Sequence, residues 1–250
     1  MKPLARTSIV LGIALALASA MLLSGCGKGE TATPDKETRS AQASGVLPVK
    51  SGSWAELTLT GGGSYYGQVG EGANGFVVVN DPYYPLVDTT GKQKKTMLRQ
   101  MGTEFHAPNG FMIVPVSTVS AVQAISAKSL VLDVIEKNSK KKKTSAPKWD
   151  EVESLDIGAV FLMDGRLLFG KVDFLPDGQM SVEEGFYLTR SPKTGVNAPI
   201  ESLDDMALVA QLSKDIGREG PLFLSGRDVL FVQSIRSDSP VRKAITGQNP

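Results

Sequence analysis

The chain of 250 residues is 41% hydrophobic and 21% charged, with 26 Gly, 14 Pro, one Cys and one His. That composition belongs to a folded chain rather than a disordered or collagen-like one, and the length to one or two domains. A single Cys and a single His exclude a Cys/His zinc cluster, a Cys-x-x-Cys redox pair and an intramolecular disulfide, and a net charge of +1 supplies no global field for nucleic acid.

Residues 1–25 read as a signal peptide. Lys2 and Arg6 precede a run from Ile9 to Leu23 that is apolar apart from Gly12 and Ser19. At about 15 residues the run falls short of the roughly 20 that span a bilayer. It ends in Leu23-Ser24-Gly25-Cys26, which resembles the lipobox of bacterial lipoproteins. The resemblance implies cleavage between Gly25 and Cys26, a thioether-linked diacylglycerol on Cys26, and anchorage to the extracytoplasmic side of a bacterial membrane. Removing Lys2 and Arg6 leaves 25 basic against 26 acidic residues, so the mature chain is close to neutral. Acyl chains would hold it on the membrane without spanning it.

Residues 26–53 are rich in Thr, Ser, Gly, Lys and Glu and read as a flexible tether with a reach of roughly 30 Å. An internal repeat follows. Displaced by 103 positions, 57–84 falls on 160–187 with seven identities, Gly67/Gly170, Gly75/Gly178 and Tyr84/Tyr187 among them. Displaced by 110, 119–135 falls on 229–245 with seven more. The repeat places one domain at 54–137 and a second at 154–246, joined by a Lys-rich linker at 138–153 and followed by a tail at 247–250.

Each copy opens as a β meander. Leu57 and Leu59 alternate with Glu56, Thr58 and Thr60, the period of a half-buried strand. Gly61 to Gly63 and Asp164-Gly165 mark the first hairpins, and Asn74-Gly75 and Asp177-Gly178 the second. Gly67 and Gly170, inside the second strands, signal a bend or bulge. After long excursions (85–110 and 188–221) come FMIVP and LFL, then VSAVQAI and VLFVQSI. Within the excursions, 96–102 and 203–212 read as short helices covering an open barrel end. Ser129 and Ser239-Pro240 read as caps of closing helices.

Five short strands, the bending Gly and the closing V-x-x-V-Q-x-I resemble the small SH3-like barrels, Sm-type and PRC-type domains included. The expected fold is therefore mainly β, two tandem small SH3-like barrels with short helical segments, and the resemblance carries no binding residue.

Gly70 to Gly75 matches G-x-G-x-x-G but leads into a strand, so it reads as a hairpin tip. Asp173 to Glu184 has the spacing of a calcium loop, but Leu175 stands at the third ligand position and strands flank it, so a turn is expected there as well. His106, two residues after Glu104, is a candidate general base that lacks a nucleophile motif. Glu183/Glu184 and Asp204/Asp205 are acidic pairs, and alternation sends neighbours on a strand to opposite faces. No catalytic residue, cofactor or metal is expected.

Lys140, Lys141, Lys142 and Lys143 form a basic run that suits either a solvated spacer or attraction to a polyanionic surface. The binding candidates are aromatic: Tyr65, Tyr66, Tyr83 and Tyr84 in the first copy, Phe186 and Tyr187 in the second. Alternation makes Tyr66 and Tyr84 core plugs and exposes Tyr65 and Tyr83. The leading expectation is a lipid-anchored, non-catalytic binding or assembly protein whose partner is another envelope protein or a cell-wall polymer, with no nucleic acid. The alternative is an envelope-polymer hydrolase using carboxylates in an interdomain groove.

Overall fold

The computed structural model describes residues 47–61, 63–88, 95–102, 104–138, 147–190, 206–210 and 220–247. These residues form a mainly β protein with one antiparallel sheet of twelve strands. The first half contributes β1 (Trp54–Leu59), β2 (Ser64–Val69), β3 (Phe76–Asp88), β4 (Lys95–Gln100), β5 (Phe111–Pro115), β6 (Val119–Ala124) and helix α1 (Leu130–Asn138). The second contributes β7 (Ser154–Leu162), β8 (Leu167–Leu175), β9 (Gln179–Arg190), β10 (Met206–Ala210), β11 (Leu222–Ser225), β12 (Val229–Ser234) and α2 (Pro240–Ile245).

Every pairing within the first half recurs in the second. β1 lies between β6 and β2 as β7 lies between β12 and β8. β3 pairs with β2, β4 and β5, and β9 with β8, β10 and β11. One further pairing, Val232 of β12 with Ile113 of β5, makes the sheet continuous across both halves. The path does not close on itself: β10 stands at one end and β6 at the other.

Local chemistry explains the turns. Asn74 and Gly75 both have positive φ (55° and 82°), as do Asp177 and Gly178 (63° and 72°), the backbone a tight reversal requires. Residues 70–75 are accordingly a strand-to-strand loop and no nucleotide cradle, and 173–184 is a strand, a turn and a strand. Gly67 sits opposite a bulge: Tyr66 pairs with Tyr83 but Gln68 with Asn80, so Asp81 (φ 43°) and Pro82 face a single residue. A Cβ on Gly67 would clash with Val79 Cγ1. Gly170 has the same place opposite Glu184 (φ 50°) and Gly185. The caps are also built as expected: the Ser129 hydroxyl accepts from Val131 N–H, and that of Ser239 from Val241 and Arg242 N–H.

The excursions differ from expectation. Residues 95–100 and 206–210 are strands β4 and β10, which extend hairpins from β3 and β9, and no helix forms at either place. Met97, Leu98, Arg99 and Gln100 favour helix locally, but pairing with β3 from Tyr83 to Asp88 overrides that preference.

The hydrophobic cores interpenetrate instead of filling two separate barrels. Phe76, Val78 and Ile113 of the first half pack with Val160, Leu168, Val172 and Met180 of the second, while Phe231 of the second half belongs to the core of the first. The flanking segments join in as well. Leu47 and Val49, at the end of the expected tether, pack on the first core. Val152 and Trp149, in the expected linker, pack on the second, with Trp149 stacked 6.3 Å from Phe76. A charge-rich composition had concealed these apolar anchors.

Candidate functional site

The six aromatic candidates do not form an exposed cluster. Tyr83 is 1% exposed and packs against Trp54 at 6.3 Å, so its expected exposure is corrected. The bulge at Asp81-Pro82 inserts one residue and reverses the alternation beyond it. Tyr65 is half-buried, its ring edge-on to Phe231 with centroids 5.4 Å apart, and burial pushes its phenol up to about 12. Tyr66 is likewise half-buried and donates to Glu56 Oε1 at 3.3 Å, so it is no core plug. Tyr84 packs on the first core and Tyr187 on the second, under the Arg166 guanidinium at 5.3 Å from its ring. Phe186 is half-buried on β9 opposite Phe169.

The exposed apolar surface lies elsewhere. On the β3–β4 hairpin Leu86 stands directly opposite Met97, and Val87 opposite Thr96; Leu86, Val87 and Met97 are 38%, 53% and 39% exposed. Phe223, on β11, is 62% exposed. Sequence reading misses Met97 because 96–102 favours a helix, and Leu86 and Val87 because they open the long excursion. The available signal was the continuation of the β3 pattern through Tyr84-Pro85-Leu86-Val87.

His106 is a structural clasp rather than an accessible base. The segment after β4 crosses onto the second half: Asn109 N–H donates to Ser234 O, Arg236 N–H to Ala107 O, and the Ser239 hydroxyl to His106 O, each at 2.8 to 3.1 Å. The His106 ring is 2% exposed, its Nε2 lies 2.8 Å from Gln233 Oε1, and Phe105, Phe161 and Phe169 surround it. Glu104 does not orient the ring; its carboxylate accepts from Gly102 N–H at 2.6 Å.

Desolvation lowers the His106 pKa below its ordinary 6.5, against the opposing pull of Gln233 and Glu104. The unfolded chain therefore takes up this proton first. As pH falls from 6.5 toward the folded-state value, the unfolded state binds more protons and stability declines. His106→Gln should unfold with a flatter pH dependence than wild type between pH 7 and 5, measured by urea titration. Parallel slopes would show that His106 contributes nothing to acid sensitivity.

Two concavities accompany these surfaces. One, of about 300 Å³, is lined by Leu47, Val49, Val69, Val77, Glu71 and Trp149, where the flanking segments dock. The other, a groove of about 750 Å³ along β7 and the end of β12, is lined by Glu151, Asp156 and Asp238, and Glu183 and Glu184 do not reach it. Within it Asp156 faces Arg242 at 3.1 Å and Asp238 faces Arg236 at 3.0 Å. Glu183 pairs with Lys171 at 3.1 Å, and Glu184 lies exposed in the bulge. Among the described residues no three His, Cys, Asp or Glu side chains are grouped to hold a metal ion, and no helix is long and apolar enough to cross a membrane.

Residues 1–25, Cys26, Lys140 to Lys143 and Asp204/Asp205 lie outside the described residues. No protein-family model matches the chain, and neither the curated proteins nor the solved structures give a significant match.

Proposed function

We propose that this is a lipid-anchored, non-catalytic binding or assembly protein of a bacterial envelope, held at Cys26 and built from a duplicated SH3-like unit. The recurrence of all five pairings at the same sequence offsets supports the duplication. The leader and Leu23-Ser24-Gly25-Cys26 support the anchor. The observation that carries the binding role is the β3–β4 hairpin, which displays Leu86 and Met97 to solvent on one face and Val87 on the other. A strand pair with apolar side chains out favours a protein surface over a charged polymer.

Two variants test the reading. Cys26→Ala should abolish incorporation of a labelled fatty acid and either release the chain from membranes or leave the precursor uncleaved. Unchanged processing and attachment would remove the anchor. The double variant Leu86→Asp, Val87→Asp should keep its stability within about 0.5 kcal/mol, since the positions are exposed. It should also lose the envelope protein that crosslinks to wild type in native membranes. Equal recovery by both chains would refute a binding role for the hairpin.

A further inference from the structure

Helix α1 is apolar on two sides and the fold uses one of them. Its sequence, LVLDVIEKN, has five large apolar residues in the first six positions. Leu132 and Ile135 are buried against Tyr83, with Trp54, Tyr66 and Leu98 around them. On the opposite side Leu130 and Val134, one turn apart, are 80% and 40% exposed. A helix with apolar residues all round is ordinarily covered all round.

The second half shows that folding does not call for the outer pair. At the 110-residue offset Val131 falls on Val241 and Ile135 on Ile245, so the inward residues are kept. Leu130 falls on Pro240 and Val134 on Ala244, both exposed, so α2 carries no such outward pair. The charge beside the pair is not shared either, since Lys128 falls on Asp238.

Charge indicates what kind of surface covers Leu130 and Val134. Lys128 and Lys137 stand exposed before and at the end of the helix, and Lys137, three residues beyond Val134, shares its side. Asp133 and Glu136 fall along one flank, between the outward and the inward residues. From Lys128 to Lys143 the sequence holds six lysines against two carboxylates. A protein interface favours aromatic residues and arginine over lysine. An apolar pair bracketed by lysines suits the headgroup boundary of an anionic bilayer, where apolar side chains enter and ammonium groups stay with the phosphates.

We infer that the outer face of α1 is a second membrane contact, with Leu130 and Val134 in the headgroup layer of anionic phospholipids and Lys128 and Lys137 on their phosphates. The helix of nine residues lies along the surface and does not cross it. The contact rests on the anchor at Cys26 for bringing the chain to a membrane and decides which side of the first half faces it. It is independent of the hairpin's partner.

The test reconstitutes the protein, extracted from its own membranes, in vesicles of equal parts phosphatidylglycerol and phosphatidylethanolamine. Wild type, whose only thiol is Cys26, should float with the vesicles and take no thiol-reactive dye. A chain that takes the dye and does not float would remove the anchor, and the inference with it. Leu130→Cys, labelled with an environment-sensitive fluorophore, should be quenched roughly twofold or more by a nitroxide placed on the lipid just below the headgroup, while labelled Asp164→Cys at the β7–β8 turn is not. Adding Val134→Asp should abolish that quenching and Lys137→Glu should reduce it several-fold, as should vesicles of phosphatidylcholine alone. Urea unfolding confirms that both variants remain folded. Position 130 quenched no more than position 164, equal quenching in phosphatidylcholine, or an emission shift without nitroxide quenching, the sign of a protein cover, would overturn the inference.

Discussion

Gly170→Val should destabilise the protein by about 3 kcal/mol or more, among the largest effects available from one substitution. A Cβ at position 170 would lie 2.6 Å from Glu183 O and 2.7 Å from Val182 Cγ1. The first contact is with backbone, which cannot rotate away as a side chain would. Relief would require the bulge at Glu184-Gly185 to open, and with it the pairing that sets Phe186 and Tyr187 in place. The urea midpoint should fall with little change in slope. A midpoint unchanged from wild type would show that the second-strand glycine is not required by the bulge.

Phe231→Ala should cost about 3–5 kcal/mol, the range for removing a buried aromatic side chain. Phe231 is 3% exposed, stacks on Phe161 with centroids 4.4 Å apart and lies edge-on to Tyr65 with centroids 5.4 Å apart. It is carried by the second half but belongs to the core of the first, so its loss acts on the junction as well as on packing. Against a total stability of about 5–15 kcal/mol for a typical domain, that loss is a large share. Combined with Phe161→Ala, the effect should be clearly less than additive, because each ring is the other's partner. Additive costs would show that the two rings do not act as a unit in the core.

What could be read from residues alone was what local backbone chemistry decides. Asn74-Gly75, Asp177-Gly178, the glycines at 67 and 170 and the capping serines at 129 and 239 each impose a conformation on their own few residues, and each sits where expected. The strands at 95–100 and 206–210 were not legible, since Met, Leu, Arg and Gln are equally at home in a helix and only pairing with a distant strand decides between them. Alternation puts Tyr83 on the wrong face because a period of two cannot register the extra residue at Asp81-Pro82. The continuity of the sheet was hidden for a different reason: Val232 and Ile113 lie over a hundred residues apart, and neither side chain announces its neighbour. For the same reasons the exposed apolar side chains are Leu86 and Met97 on one face of the hairpin and Val87 on the other, and not the aromatic candidates.

The role proposed for this chain is the display of strand surfaces to an envelope partner. Its most direct test replaces Val87, 53% exposed on the β3–β4 hairpin, with p-benzoylphenylalanine in the full-length protein in its native membranes, with position 164 at the β7–β8 turn as an exposed control. A discrete membrane-associated adduct is expected from position 87, of a mass that is not a multiple of the chain's own and absent from position 164. No adduct from position 87, or the same adducts from both positions, would contradict it.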